Sequence, residues 1–142
     1  MAAHMVCAID YFGRTMPVTS TFLAGSIGTS PVMVRTIMGM LKQAGIISSS
    51  KGKSGITLAR PLSEISLLDL WHAVDQSDAD SLFHFHENPC PQCPVGGNIH
   101  AALDGHLEDA QRALEGQLAA VSLESVAEDV RWRAEARGAL GK

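Results

Sequence analysis

Val34, Ile37, Met38 and Leu41 recur at i, i+3, i+4 and i+7, which predicts an amphipathic helix with these four side chains turned inward. Val32, Arg35, Thr36, Gly39 and Gln43 fall on its opposite face. Ser30 is a good N-cap and Pro31 takes the first helical position, where a missing N–H costs nothing. The helix is therefore expected from Pro31 to about Ala44, with Gly45 as its stop. Upstream, Thr19 or Ser20 caps a shorter helix that runs to about Ile27, and Gly28 is a natural left-handed end for it. Ala24, Gly28, Val34 and Ile37 keep the spacing of a helix-turn-helix: a small residue at the crossing, glycine in the turn, then two core apolars.

The rest of the pattern builds around that pair. Ala3–Phe12 is apolar and predicted helical, closed by Gly13; either this helix is short or the natural chain begins upstream of Met1. Ile46–Ser50 and Ile56–Ala59 read as strands joined by Lys51-Gly52-Lys53-Ser54-Gly55, a basic hairpin "wing". Gly-Lys-Ser here is not a phosphate-binding P-loop, because position 47 is Ile and the chain after Gly55 reads as a strand. Pro61 ends the wing, and Ser63 or Ser66 caps a helix over Leu67–Val74. Residues 75–87 form an acidic, His-containing connection, and the Pro- and Gly-rich run NPCPQCPVGG is irregular. From about Asn98, Ile99, Leu103, Leu107, Ala110, Leu114, Leu118 and Val121 recur at spacings of 4, 4, 3, 4, 4 and 3. That seam is roughly 33 Å long, more than a small winged domain can cover, and it points to pairing with a second copy. Ser122 caps a last helix to about Arg137, whose Arg131, Arg133 and Arg137 mix with Glu128, Asp129 and Glu135 as a solvated face.

The expected fold is thus mainly α with a small β-hairpin wing. It divides into a winged helix-turn-helix domain at 1–75, a Cys/His-containing loop at 76–97, and a dimerisation helix with a C-terminal helix at 98–142.

Charge sharpens this picture. The whole chain of 142 residues carries −4, yet residues 11–63 contain no Asp or Glu and hold Arg14, Arg35, Lys42, Lys51, Lys53 and Arg60, a formal +6. The remainder has all 15 acids against 5 bases, −10. Such a partition suits a chain that presents one face to a polyanion. Apolar residues make up 46% but aromatics only 5%, so aliphatic side chains and Met must fill the core. No run is long enough to span a membrane, and the N-terminus lacks the basic flank of a signal peptide. Three cysteines without an export signal fit a reducing compartment, the cytoplasm.

Leu23-Ala24, Ile27-Gly28-Thr29-Ser30, Val34-Arg35 and Leu41-Lys42-Gln43-Ala44-Gly45-Ile46 form a joint pattern. The wing at 51–55, Leu58-Ala59-Arg60-Pro61, the run Glu64 to Leu70, and Ala73-Val74 continue it. With these the chain resembles the Rrf-two family of bacterial winged-helix transcriptional regulators (IscR, NsrR and YwnA types). Cys93-Pro94-Val95-Gly96 with Asn98-Ile99 is similar to the YwnA-type variant. The resemblance implies a homodimer with crossed long helices that binds a palindromic operator in double-stranded DNA and represses or activates a nearby gene. Repression is the expected direction. Thr29, Ser30, Val32, Arg35 and Thr36 would meet base edges or phosphates in a major groove, and Lys51, Lys53 and Ser54 would hold the backbone beside it. Arg35 would either clamp a phosphate or read guanine. Ile99, Leu103, Leu107, Leu114 and Leu118 would form the dimer interface. The chain departs from the family at the wing, where Ser54-Gly55 and Ile56 replace a Gly-Gly pair and an aromatic.

Cluster-binding members carry three cysteines between wing and dimer helix. Only Cys90 and Cys93 stand here, so an iron–sulfur site is not carried over, and Cys7 is expected as a small core residue. His84-x-His86-x3-Cys90-x2-Cys93 leaves three chemistries open: a tetrahedral zinc site, a redox disulfide of Cys90 with Cys93 or with a thiol of a second chain, or, least expected, a cluster in which His84 or His86 takes the place of the third cysteine. The remaining reading is a structural cap with exposed thiols. His4, His72, His100 and His106 do not converge on one face. Two other functions compete with DNA binding. A CxxC redox enzyme needs a βαβ context that is absent, and a winged module serving protein contacts alone would bind without salt dependence.

Overall fold

The computed structural model describes residues 1–49, 55–75, 82–83 and 87–140. Helices α1 (Ala2–Phe12), α2 (Ser20–Ile27) and α3 (Pro31–Gln43) lead into a two-stranded antiparallel sheet, β1 (Ile47–Ser48) and β2 (Thr57–Leu58). A 3-10 turn at Leu62–Glu64 precedes α4 (Leu67–Val74), α5 (Ile99–Ala119) and α6 (Leu123–Leu140). No helix among the described residues is long and apolar enough to cross a membrane.

The caps act where the sequence placed them. Thr19 Oγ1 accepts from the Phe22 N–H at 3.2 Å and Ser30 Oγ from the Met33 N–H at 3.3 Å. Gly28 closes α2 at φ +76°, a left-handed conformation that suits a residue without Cβ. Ser66 and Asp69 form a reciprocal capping box at the start of α4. The strands are shorter than the apolar runs suggested. Pairing holds Ile47 opposite Leu58 and Ser48 opposite Thr57, while Ile46 and Ile56 are buried in the core beside the ladder. The base of the wing is anchored to the α1–α2 linker: the Ile56 N–H donates to the Val18 C=O at 2.9 Å, and a Cβ on Gly55 would stand 3.3 Å from Pro17 Cα.

Two compact units emerge. One comprises residues 1–75 and 119–142, the other residues 76–118. The core of the first is aliphatic: Met5, Val6, Val18, Leu23, Val34, Leu41, Ile46, Ile65 and Leu123 are all but sealed from solvent. Cys7 lies in it, as expected. α6 belongs to this unit through Leu123 and Ala127, and through backbone bonds from the Leu67 N–H to the Val121 C=O and from the Leu123 N–H to the Ile65 C=O. The expectation that α6 is a solvated face holds for Arg133, paired with Asp129 at 2.7 Å in the open. It fails for Arg131, which pairs with the largely buried Asp10 of α1.

Candidate nucleic-acid interface and thiol loop

α3 shows how one amphipathic helix serves two partners. Val34, Ile37, Met38 and Leu41 are buried against α2 and α4. The 3.6-residue period then forces Val32, Arg35, Thr36 and Gly39 outward. Val32 is 66% exposed, a large apolar side chain held in water at the first turn of the helix. Its neighbour Met33 is 45% exposed, and sequence periodicity gave it no role. Thr36 Oγ1 donates to the Val32 C=O at 3.2 Å, which restricts its rotamer. Ser30 is exposed and Thr29 half-buried at the mouth of the turn. Thr29, Ser30, Val32, Arg35 and Thr36 lie together along the N-terminal half of α3 and the turn before it. Lys51, Lys53 and Ser54 lie outside the described residues.

The electrostatics of this face differ from those behind it. Arg14 sits 3.6 Å from Asp10, and Arg60 sits 3.6 Å from Asp69. Arg35 and Lys42 of α3 make no ion pair among the described residues. Arg35 and Lys42 are both exposed to solvent.

Asp69 is held by its neighbours at the start of α4. The Ser66 N–H donates to it at 2.7 Å, the Ser66 hydroxyl donates at 2.8 Å, and Arg60 adds a cation. Together, and against some desolvation, they hold its carboxyl below the usual range.

Within the second unit, Cys90 and Cys93 are both exposed free thiols. The Cys93 N–H donates to the Cys90 C=O at 3.2 Å, and the Gly97 N–H donates to the Cys93 C=O at 2.9 Å. A Cβ on Gly96 would stand 2.6 Å from Cys90 O, and one on Gly97 2.8 Å from Pro91 O, so both glycines are required by close packing. The backbone N–H groups of Gly96, first, and Val95 hold the Cys93 thiol below its ordinary range. Cys7 goes the other way: burial, then the nearby Asp10, pushes its thiol up. His84 and His86 lie outside the described residues. Among the described residues no three His, Cys, Asp or Glu gather as a metal-binding group.

α5 has 21 residues and none is buried. Ile99, Leu107 and Leu118 are half-buried, while Leu103 and Leu114 are 38% and 43% exposed. Val121, the last position of the predicted seam, falls beyond the end of the helix. Sequence reasoning also missed an apolar groove of about 580 Å³ between α1 and α6, lined by Cys7, Tyr11, Phe12, Val126 and Val130. His4 Nε2 and Ser26 Oγ meet at 3.0 Å on its edge.

Known proteins share this pattern. Residues 1–129 match the Rrf2 family model, described as an iron-dependent transcriptional regulator. The chain is 40% identical over 126 residues to YwnA of Bacillus subtilis (strain 168), assigned as an HTH-type transcriptional regulator, covering 89% of this chain and 91% of that one. A crystal structure assigned as a DNA-binding protein is 34% identical and superposes with a TM-score of 0.67, covering 87% of this chain and 94% of that chain. A crystal structure assigned as a transcriptional regulator from Lactobacillus plantarum is 25% identical with a TM-score of 0.73, covering 92% and 87%.

Proposed function

The chain belongs to the Rrf2 family of transcriptional regulators, and we propose that it acts in the cytoplasm as a homodimeric, sequence-specific DNA-binding repressor. The observation that carries this reading is the exposed face of α3. Ser30, Val32, Arg35 and Thr36 stand out from a helix whose other face is sealed, inside a stretch of 53 residues (11–63) without one carboxylate. α3 enters a major groove. Arg35 clamps a phosphate, Val32 meets a thymine methyl, Thr29, Ser30 and Thr36 position the helix, and Lys51, Lys53 and Ser54 track the backbone beside it. Similarity to a protein assigned as DNA-binding supports the same reading.

Dimerisation through Ile99, Leu103, Leu107, Leu114 and Leu118 is supported by a 21-residue helix with no fully buried residue in the single chain and with Leu103 and Leu114 exposed. Two copies would present two α3 helices to a palindromic operator. Functionally, 1–75 would read DNA with α6 packed on it, 76–97 would receive a signal and α5 would join the copies.

The family description names iron. The described residues do not fit a resident iron: the loop offers two thiols, Cys7 is enclosed in the core, and no third donor joins Cys90 and Cys93. The response, if the loop carries one, is proposed to be a thiol reaction.

A gel shift with DNA from upstream of the protein's own coding sequence tests the proposal. Wild type is expected to bind, and Arg35→Ala to bind roughly tenfold or more weakly. Equal binding by both would remove α3 from the interface.

A further inference from the structure

We propose that the loop from Cys90 to Gly97 is a reversible modification site in which Cys93 attacks a hydroperoxide and Cys90 resolves the product as an intramolecular disulfide. Any regulatory use of that site rests on the proposed function; its chemistry does not.

The two sulfurs are built differently. The backbone N–H groups of Gly96 and Val95 hold the Cys93 thiol below its ordinary range, which favours the thiolate. Cys90 is instead a donor: its S–H faces Gln92 Oε1 at 3.4 Å. Both are open to solvent, so an oxidant can reach them. The bond from the Cys93 N–H to the Cys90 C=O closes a turn. Such a turn keeps the first and fourth Cα atoms within about 7 Å, near the span a disulfide takes. The loop cannot relax this arrangement with other residues, because a side chain at Gly96 would strike Cys90 O. The third thiol, Cys7, is buried and unsuited to the reaction.

The reaction balances without a metal. The Cys93 thiolate attacks one peroxide oxygen; an S–O bond forms, the O–O bond breaks, and the alkoxide leaves and is protonated to the alcohol. Cys93 is now a sulfenic acid. The Cys90 thiolate, its proton given to solvent, attacks the Cys93 sulfur. The S–S bond forms, the S–O bond breaks, and hydroxide leaves as water. Two thiols lose two electrons and one hydroperoxide becomes an alcohol and water. A dithiol restores the pair.

The site adjoins α5 directly. The Val95 C=O accepts from the Asn98 N–H at 3.1 Å and from the Ile99 N–H at 2.9 Å, and Asn98 Nδ2 donates to the Pro94 C=O at 2.8 Å. Drawing the Cys93 sulfur toward Cys90 therefore pulls on the segment that starts the long helix.

The test uses the full chain, cumene hydroperoxide and peptide mass mapping. One equivalent is expected to join Cys90 to Cys93 within a chain, leaving Cys7 reduced. Cys90→Ser should stop at a sulfenic acid on Cys93 that dimedone captures. Cys93→Ser should leave Cys90 unoxidised at the same dose. At neutral pH iodoacetamide should label Cys93 several-fold faster than Cys90, and Gly96→Ala should abolish that difference by displacing the cradle. The proposal is overturned if Cys90 is sulfenylated first, if the disulfides are all between chains, or if a stoichiometric zinc in the purified chain protects both thiols. Since every readout is a mass or a labelling rate, a failure to bind operator DNA would leave these results standing, and the reverse also holds.

Discussion

Val32 and Arg35 are three positions apart on α3, and each asks something different of its surroundings. Val32, an aliphatic side chain 66% exposed at the first turn, gains nothing from water; a thymine methyl would cover it. Among the described residues Arg35 lacks the carboxylate partner that Arg14, Arg60 and Arg131 each have. Both were legible in sequence because helical periodicity alone decides which way they face. The Arg131–Asp10 pair was not, since 121 positions separate its members and no local pattern connects them. Asp69 allows a test at this scale. Its folded pKa lies below its unfolded value, about 3.9, so its contribution to stability is complete above that value and drains away as pH falls through the lower folded one. Urea melts at stepped pH should show wild type losing its advantage over Asp69→Asn on acidification below about pH 4. An advantage that persists unchanged in acid would contradict the capping box.

At the scale of elements, the helix-turn-helix was readable because every boundary had a chemical marker: Thr19, Gly28, Ser30, Pro31 and Gly45. Gly28 is the sharpest of these, since at φ +76° it turns α2 toward α3 with nothing within 4 Å of where a Cβ would sit. Space is therefore not the issue and conformation is. Gly28→Ala should lower unfolding free energy by about 1–2 kcal/mol in urea denaturation and leave the operator sequence preference intact. An unchanged midpoint would mean that the turn is not held left-handed in solution. The strand lengths of the wing were over-read. A run of apolar residues looks like a strand, yet Ile46 and Ile56 are core plugs, and among the described residues the ladder joins two pairs. α6 was under-read for the opposite reason. Its charges alternate so evenly that no apolar face stands out, and its hold on the fold comes from Leu123, Ala127 and one ion pair.

The whole molecule is organised by two separations: basic residues from acidic ones along the chain, and a sealed core from an unsealed seam. Leu103 and Leu114 are exposed in the single chain, so charged replacements there should leave the protomer folded. Leu103→Glu with Leu114→Glu is expected to shift the chain from dimer to monomer in sedimentation, with an unaltered circular dichroism spectrum and a loss of operator binding. A double variant that still sediments as a dimer would place the interface elsewhere. The most direct test of the central claim is fluorescence anisotropy of the full chain on its own upstream DNA across a range of salt concentrations. With Arg35, Lys51 and Lys53 of two copies on about six phosphates, log Kobs should fall against log salt with a slope of about −5, at two chains per duplex. Arg35→Ala should flatten it to about −4. A slope near zero, or one chain per duplex, would contradict a two-fold reader built on α3.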